Sequence, residues 1–213
     1  MTGLLQRDIL VISQKAKLIE MTNEYRILDP EGAEVGAIRE EGQSKTKKLL
    51  RFVSDVDQFL THRLSVYEAD GTKLLEIIRP AKIMKSTLQI RDADGEGRGA
   101  IVQENVVGKK RFALRGPGGE LLGSIDAENW RSWDFAIHDA DGSEIARVTK
   151  KWAGFLHEGL TTADHYVLEI TGTTSADLRF LLVASAAALD TALKQDDTGG
   201  WGFGGFDLTD LIP

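Results

Sequence analysis

Between Asp177 and Gln195 the chain reads DLRFLLVASAAALDTALKQ, and no other stretch restricts the fold as much. At about 100° per residue, Arg179, Asp190 and Lys194 fall within one narrow stripe. Every other direction carries Leu, Phe, Val, Ala or a small hydroxyl side chain. A helix that is apolar almost all round must be enclosed, by protein or by lipid. Leu178–Leu193 offers only 16 residues, and a spanning helix needs about 20. Arg179 and Asp190 near its ends would also be costly at membrane depth. The stretch is expected as a core helix that the rest of the chain wraps.

The rest of the chain supplies strands to do the wrapping. After the short apolar runs Asp8–Ser13 and Lys17–Met21, a unit of strand, polar turn and strand recurs five times. Its turns are Pro30–Gly32, Ala69–Gly71, Asp92–Gly95, Gly116–Gly119 and Asp139–Gly142, and Tyr166–Ile170 forms a last strand before the helix. Asp-Gly and Gly-Gly steps tolerate the positive φ that short hairpins demand. The flanking runs alternate, as Trp133, Phe135 and Ile137 do against Asp134, Ala136 and His138, so one face points inward. Glycines 32, 71, 95, 119 and 142 lie 39, 24, 24 and 23 residues apart, too unevenly for a solenoid or propeller. Hairpins plus one enclosed helix imply a mainly β fold, a closed antiparallel β-barrel around a central hydrophobic C-terminal helix. Closure also removes exposed sheet edges. Thr174 with Asp177 fits a capping box at the helix start, and Ser175 is the alternative cap.

Two segments depart from the hairpin pattern. In Ser44–His62, Leu49, Leu50, Phe52, Val53, Val56, Phe59 and Leu60 recur at helical spacing, which predicts an amphipathic helix. Its opening turn holds Lys45, Lys47, Lys48 and Arg51, cations that oppose the helix dipole. Either an anionic ligand or the upstream Glu40 and Glu41 balances them. Beyond Gln195 the chain changes character: Gly199–Gly205 reads GGWGFGG, followed by FDLTDLIP, too rich in glycine to build a core of its own. The expected organisation is therefore a barrel domain over 1–195 and a glycine- and aromatic-rich tail over 196–213.

Composition removes several function classes. A net charge of −7 argues against a nucleic-acid partner. The absence of cysteine excludes disulfides, thiolate chemistry and cysteine-ligated zinc. MTGLLQRDIL has neither a basic n-region nor a long apolar h-region, so the expected location is cytoplasmic, with peripheral contact at the inner membrane surface. The DADG turns lack the third acidic ligand and the distal Glu of a calcium loop, and His62, His138, His157 and His165 show no paired ligand spacing. No metal or cofactor is expected. With no G-x-S-x-G elbow, P-loop or dinucleotide fingerprint, no catalytic constellation is visible and an enzyme is not expected.

The opening ILVISQKAKLIEMTNEYRILDPEG, the hairpin repeat and the closing LRFLLVASAAALD resemble the tubby C-terminal-like superfamily over roughly residues 8–193. Within it the chain is similar to the phospholipid scramblase-related and LURP-one-related proteins. The resemblance implies about twelve strands around the helix. Tubby-like domains bind phosphoinositide head groups through barrel-surface cations, but no motif aligns those residues onto this chain. Animal scramblases carry a proline-rich segment and an acylated cysteine cluster, both missing here. Their acidic calcium-binding segment corresponds to Thr171–Asp177, which holds a single carboxylate, Asp177.

Function is thus expected to reside in binding. The candidate lipid- or anion-binding residues are Lys45, Lys47, Lys48 and Arg51, facing anionic phospholipid or phosphoinositide head groups. Weaker basic candidates are Lys109/Lys110/Arg111 and Lys150/Lys151. The alternative is an interaction protein whose tail docks a protein partner through Trp201, Phe203, Phe206 and Leu208. Phospholipid scrambling is a further alternative.

Overall fold

The structure is a computed structural model that describes residues 3–14, 24–41, 62–80, 87–105, 110–129, 134–150 and 165–198. A short 3-10 turn, Leu4–Gln6, precedes twelve strands. These are β1 (Ile9–Gln14), β2 (Glu24–Leu28), β3 (Glu34–Glu41), β4 (His62–Glu68), β5 (Lys73–Arg79) and β6 (Thr87–Asp92). β7 (Gly97–Gln103), β8 (Lys110–Arg115), β9 (Leu121–Asn129), β10 (Asp134–Asp139), β11 (Glu144–Thr149) and β12 (His165–Ile170) complete the set. One helix, α1 (Ala176–Thr198), ends the described chain. Each strand pairs antiparallel with its neighbours in sequence, and β12 returns to β1 with Val11 opposite Val167, so the barrel is closed. The mainly β barrel around a C-terminal helix is as the sequence pattern requires. The segment predicted as an amphipathic helix, Ser44–His62, lies outside the described residues up to residue 61, and His62 opens β4.

Alternation places the core. In β6 Leu88 and Ile90 are buried while Gln89 and Arg91 are exposed, and Phe135 and Ile137 point inward from β10. Between the strands sits α1, in which the eight successive residues Leu181–Ala188 are all buried. Eight consecutive positions cover every direction of a helix, so the barrel encloses it on all sides. β7 comes especially close. Gly99 there has φ 133°, and a Cβ on it would lie 2.2 Å from the Arg115 carbonyl oxygen and 3.3 Å from Leu181 Cδ2. Ser175 is the cap: the Leu178 N–H donates to its Oγ at 3.2 Å. Thr174 Oγ1 instead accepts from Arg179 Nε at 2.8 Å.

The topology sorts the connections by end. Tight turns at residues 29–33, 69–72, 93–96, 116–120 and 140–143 join strand pairs at one end. The link into α1 lies there too, because Arg98, just after the 93–96 turn, reaches Asp177 of the helix at 3.5 Å. Connections 15–23, 42–61, 80–86, 104–109, 130–133 and 150–164 all join strands at the opposite end.

Candidate functional site

The turn end is built by repetition of one device. Asp29 Oδ1 accepts the N–H of Glu31 at 3.1 Å and of Ala33 at 2.8 Å. Asp92 Oδ1 does the same for Asp94 and Glu96, and Asp139 Oδ1 for Asp141 and Ser143. The carboxylates of the DADG turns thus close their own hairpins. Gly32, Gly71, Gly95, Gly119 and Gly142 follow at φ of 84–88°, the left-handed region each turn needs. A consequence is charge. The five turns carry Asp29, Glu31, Asp70, Asp94, Glu96, Glu120 and Asp141, and no lysine or arginine.

Two arginines fasten the helix to this end. Arg98 pairs with Asp92 Oδ2 at 2.6 Å and lies with its Cζ 5.3 Å from the centre of the Phe180 ring, on the first turns of α1. Burial raises the Asp92 carboxyl, but the Arg98 hydrogen bond and the N–H groups of Glu96 and Asp94 outweigh it and hold the group below its ordinary range. Arg179 donates to Asp8 Oδ1 at 2.7 Å and to the Arg7 carbonyl at 2.9 Å. The charged stripe of the helix therefore begins at the barrel mouth. The side chains of Asp190 and Lys194 lie outside the described set.

Of the expected site residues, Lys45, Lys47, Lys48 and Arg51 lie in the β3–β4 connection, outside the described residues. What is described is the ledge that carries this connection. Glu41, the last residue of β3, accepts from the Tyr67 hydroxyl at 2.5 Å and lies 3.7 Å from Lys73 Nζ. The Tyr67 bond, with lesser help from Ser65 and Lys73, pulls the Glu41 carboxyl below its usual value. Glu41 is thereby engaged with its own strand neighbours. Trp201, Phe203, Phe206 and Leu208 also fall outside the described residues.

The second basic cluster is divided. Arg111 sits 3.1 Å from Asp126 and 3.7 Å from Glu104, beside His138, whose Nδ1 lies 3.4 Å from Asp126. These four side chains line a hollow of about 370 Å³ together with Leu121, Gly123 and Ser124. Its cation is already shared between two carboxylates, which makes it a poor receptor for a further anion. Sequence reasoning missed the hollow because Arg111 meets Asp126 only through the β8–β9 register. Lys150 is exposed at the end of β11, and Lys151 lies outside the described residues.

The strand order sorts the connections, as read from the sequence, into two sets of opposite charge. The six connections opposite the tight turns hold twelve of the 26 lysines and arginines and six of the 33 carboxylates. Summed over their sequence, these connections are net +6 in a chain that is net −7 overall. The signal was in the sequence, in the charges of alternate connections, but it needed the strand order to be read.

Comparison with known proteins gives the chemistry a setting. The family model described as Scramblase matches residues 1–193. The chain belongs to the scramblase family. A phospholipid scramblase family protein of Schizosaccharomyces pombe is 27% identical over 191 residues, covering 82% of this chain and 49% of its own length. The chain thus spans about half the length of that curated relative. A protein of Arabidopsis thaliana, solved by X-ray crystallography, superposes with a TM-score of 0.50 at 9% identity, over 86% of this chain and 91% of its own. At that identity the likeness is one of fold alone. Among the described residues, no helix is long and apolar enough to cross a membrane.

Proposed function

We propose that this chain is a non-catalytic module, over residues 1–195, that binds anionic phospholipid head groups at the cytoplasmic membrane surface through Lys45, Lys47, Lys48 and Arg51. The observation that carries the reading is where the β3–β4 connection leaves the barrel. It joins Glu41 to His62 at the strand ends opposite the tight turns, which carry seven carboxylates, and this supports an approach of an anionic surface from the side of that connection. Each cation near such a surface contributes about 1 kcal/mol, so four give weak, reversible and salt-sensitive attachment.

The test is co-sedimentation with vesicles of phosphatidylcholine containing about 30 mol % phosphatidylserine. Wild-type protein should pellet, and should be released as salt rises. Lys45→Glu with Lys47→Glu should lower the affinity by roughly a hundredfold or more at low salt. Binding that ignores anionic lipid content and salt would end the reading. Family membership also supports a competing reading, movement of lipid between leaflets. Reconstituted vesicles separate the two, since a binding module leaves an asymmetric fluorescent lipid asymmetric.

A further inference from the structure

We propose that the hollow on the outer wall of β8, β9 and β10 binds a small aliphatic amine. The ammonium sits against Asp126 and His138, and the carbon chain runs toward Leu121. This site shares no residue with the lipid contact proposed above, so either can fail without the other. Phe112, Ile125 and Ile137 point into the core from these strands, so their neighbours Arg111, Asp126 and His138 face outward. Local sequence explains the hollow. Ala113, Ser124 and His138 stand abreast across the three strands, with Gly123 beside Ser124 on β9. A Cβ on Gly123 would lie 2.3 Å from the His138 carbonyl oxygen, so no side chain fits there without moving backbone. The pairing also slips between Leu114 and Arg115 and between Ile137 and His138, and such bulges re-aim side chains. Longer side chains thus surround a floor of small ones, with Arg111 and Asp126 toward one end and Leu121 toward the other. The space is about 370 Å³, within the range of roughly 300–1,000 Å³ usual for small-molecule sites.

Charge and apolar surface select the ligand together. Three carboxylates, Glu104, Asp126 and Asp139, share the hollow with one guanidinium, Arg111, which leaves it net −2 with the imidazole neutral. Arg111 meets both Asp126 and Glu104 through its Nε, at 3.1 and 3.7 Å. An anion entering here would have to draw that cation away from two carboxylates. An ammonium leaves the pairing intact and adds donors where acceptors are in excess. Asp126 Oδ2 faces His138 Nδ1 at 3.4 Å, too long for a good hydrogen bond. That nitrogen is closed off from solvent and has no hydrogen-bond partner among the described residues. A primary ammonium carries three donors, enough to reach the carboxylate and a neutral imidazole at once. The other end is apolar. Leu121 is the one large hydrophobic side chain left exposed among the described residues, at 47%. A cation on a short carbon chain uses both ends of the hollow, whereas an inorganic cation uses one.

The test is a titration of the full chain at neutral pH with n-alkylamines from ethylamine to hexylamine, and with hexanoate and hexanol beside them. Histidine ring signals in the NMR spectrum report binding, with the His138 signals identified by their loss in His138→Gln. Hexylamine should move the His138 signals saturably, hexanoate should leave them in place, and hexanol should bind at least roughly tenfold more weakly than hexylamine. Affinity should rise by about twofold to fourfold for each added methylene, as burial against Leu121 grows. Asp126→Asn should weaken hexylamine by roughly tenfold or more. Leu121→Ser, at an exposed position, should flatten the chain-length series and leave ethylamine unchanged. Circular dichroism melts of both variants check the fold, and the wild-type series stands whatever Asp126→Asn does to stability. Hexanoate binding as tightly as hexylamine, or hexylamine leaving the His138 signals unmoved, overturns the proposal. So does hexylamine binding of equal strength in wild type and in both variants.

Discussion

At the scale of single residues, the turn-end carboxylates act as structural groups first. Asp92 is 8% exposed, ties its own turn through Oδ1 and holds Arg98 through Oδ2. Its folded value lies below the ordinary 3.8, so the unfolded chain takes up the proton first as pH falls. The stability it contributes is complete above that ordinary value and is lost as pH drops through the folded one. Glu41, lowered chiefly by the Tyr67 hydroxyl, and Glu144, lowered chiefly by Arg147, act in the same sense. The thermal midpoint should therefore fall between about pH 5 and pH 3. In Asp92→Asn the midpoint should be lower at neutral pH and the acid slope shallower, as read by circular dichroism melts. A slope unchanged by the substitution would mean that Asp92 is not among the groups that set it.

At the scale of elements, α1 is held by enclosure far more than by its ends. Leu182 is fully buried, and truncating such a side chain costs about 2–5 kcal/mol, more where the surroundings cannot collapse. A barrel closed by backbone hydrogen bonds collapses poorly, so Leu182→Ala belongs at the upper part of that range. Removing the cap with Ser175→Ala should cost about 1 kcal/mol. Urea unfolding of the two variants checks the order, and a cap variant that loses more than the core variant would refute it. The helix was legible in sequence because its apolar period has almost no gap. The choice between Thr174 and Ser175 was not legible, since both offer a hydroxyl and only the position of Arg179 decides which one faces the backbone. The five tight turns were legible for a different reason, because Asp-Gly and Gly-Gly steps encode a local backbone conformation.

At the scale of the whole molecule, closure followed from pattern, but register and the sorting of charge by end did not. Pairings such as Arg111 with Asp126 depend on which residues face each other across strands, and alternation alone leaves that open. The sorting matters because net charge and local field give opposite answers for this chain. By bulk charge, −7 should be repelled from an anionic bilayer. By local field, the proposed Lys45, Lys47, Lys48 and Arg51 contact is basic, and the tight-turn carboxylates belong to connections at the opposite ends of the strands. One variant separates the two descriptions. Glu31→Lys, Asp94→Lys and Asp141→Lys together, all at exposed turn positions, raise the net charge from −7 to −1. If bulk charge governed, vesicle affinity in physiological salt would rise by roughly tenfold or more. If the field at the approaching end governs, affinity should stay within about twofold of wild type. Co-sedimentation of the triple variant beside wild-type protein decides it, and the expected outcome is the unchanged affinity, because in the proposed binding mode these three side chains stay beyond screening distance of the lipid.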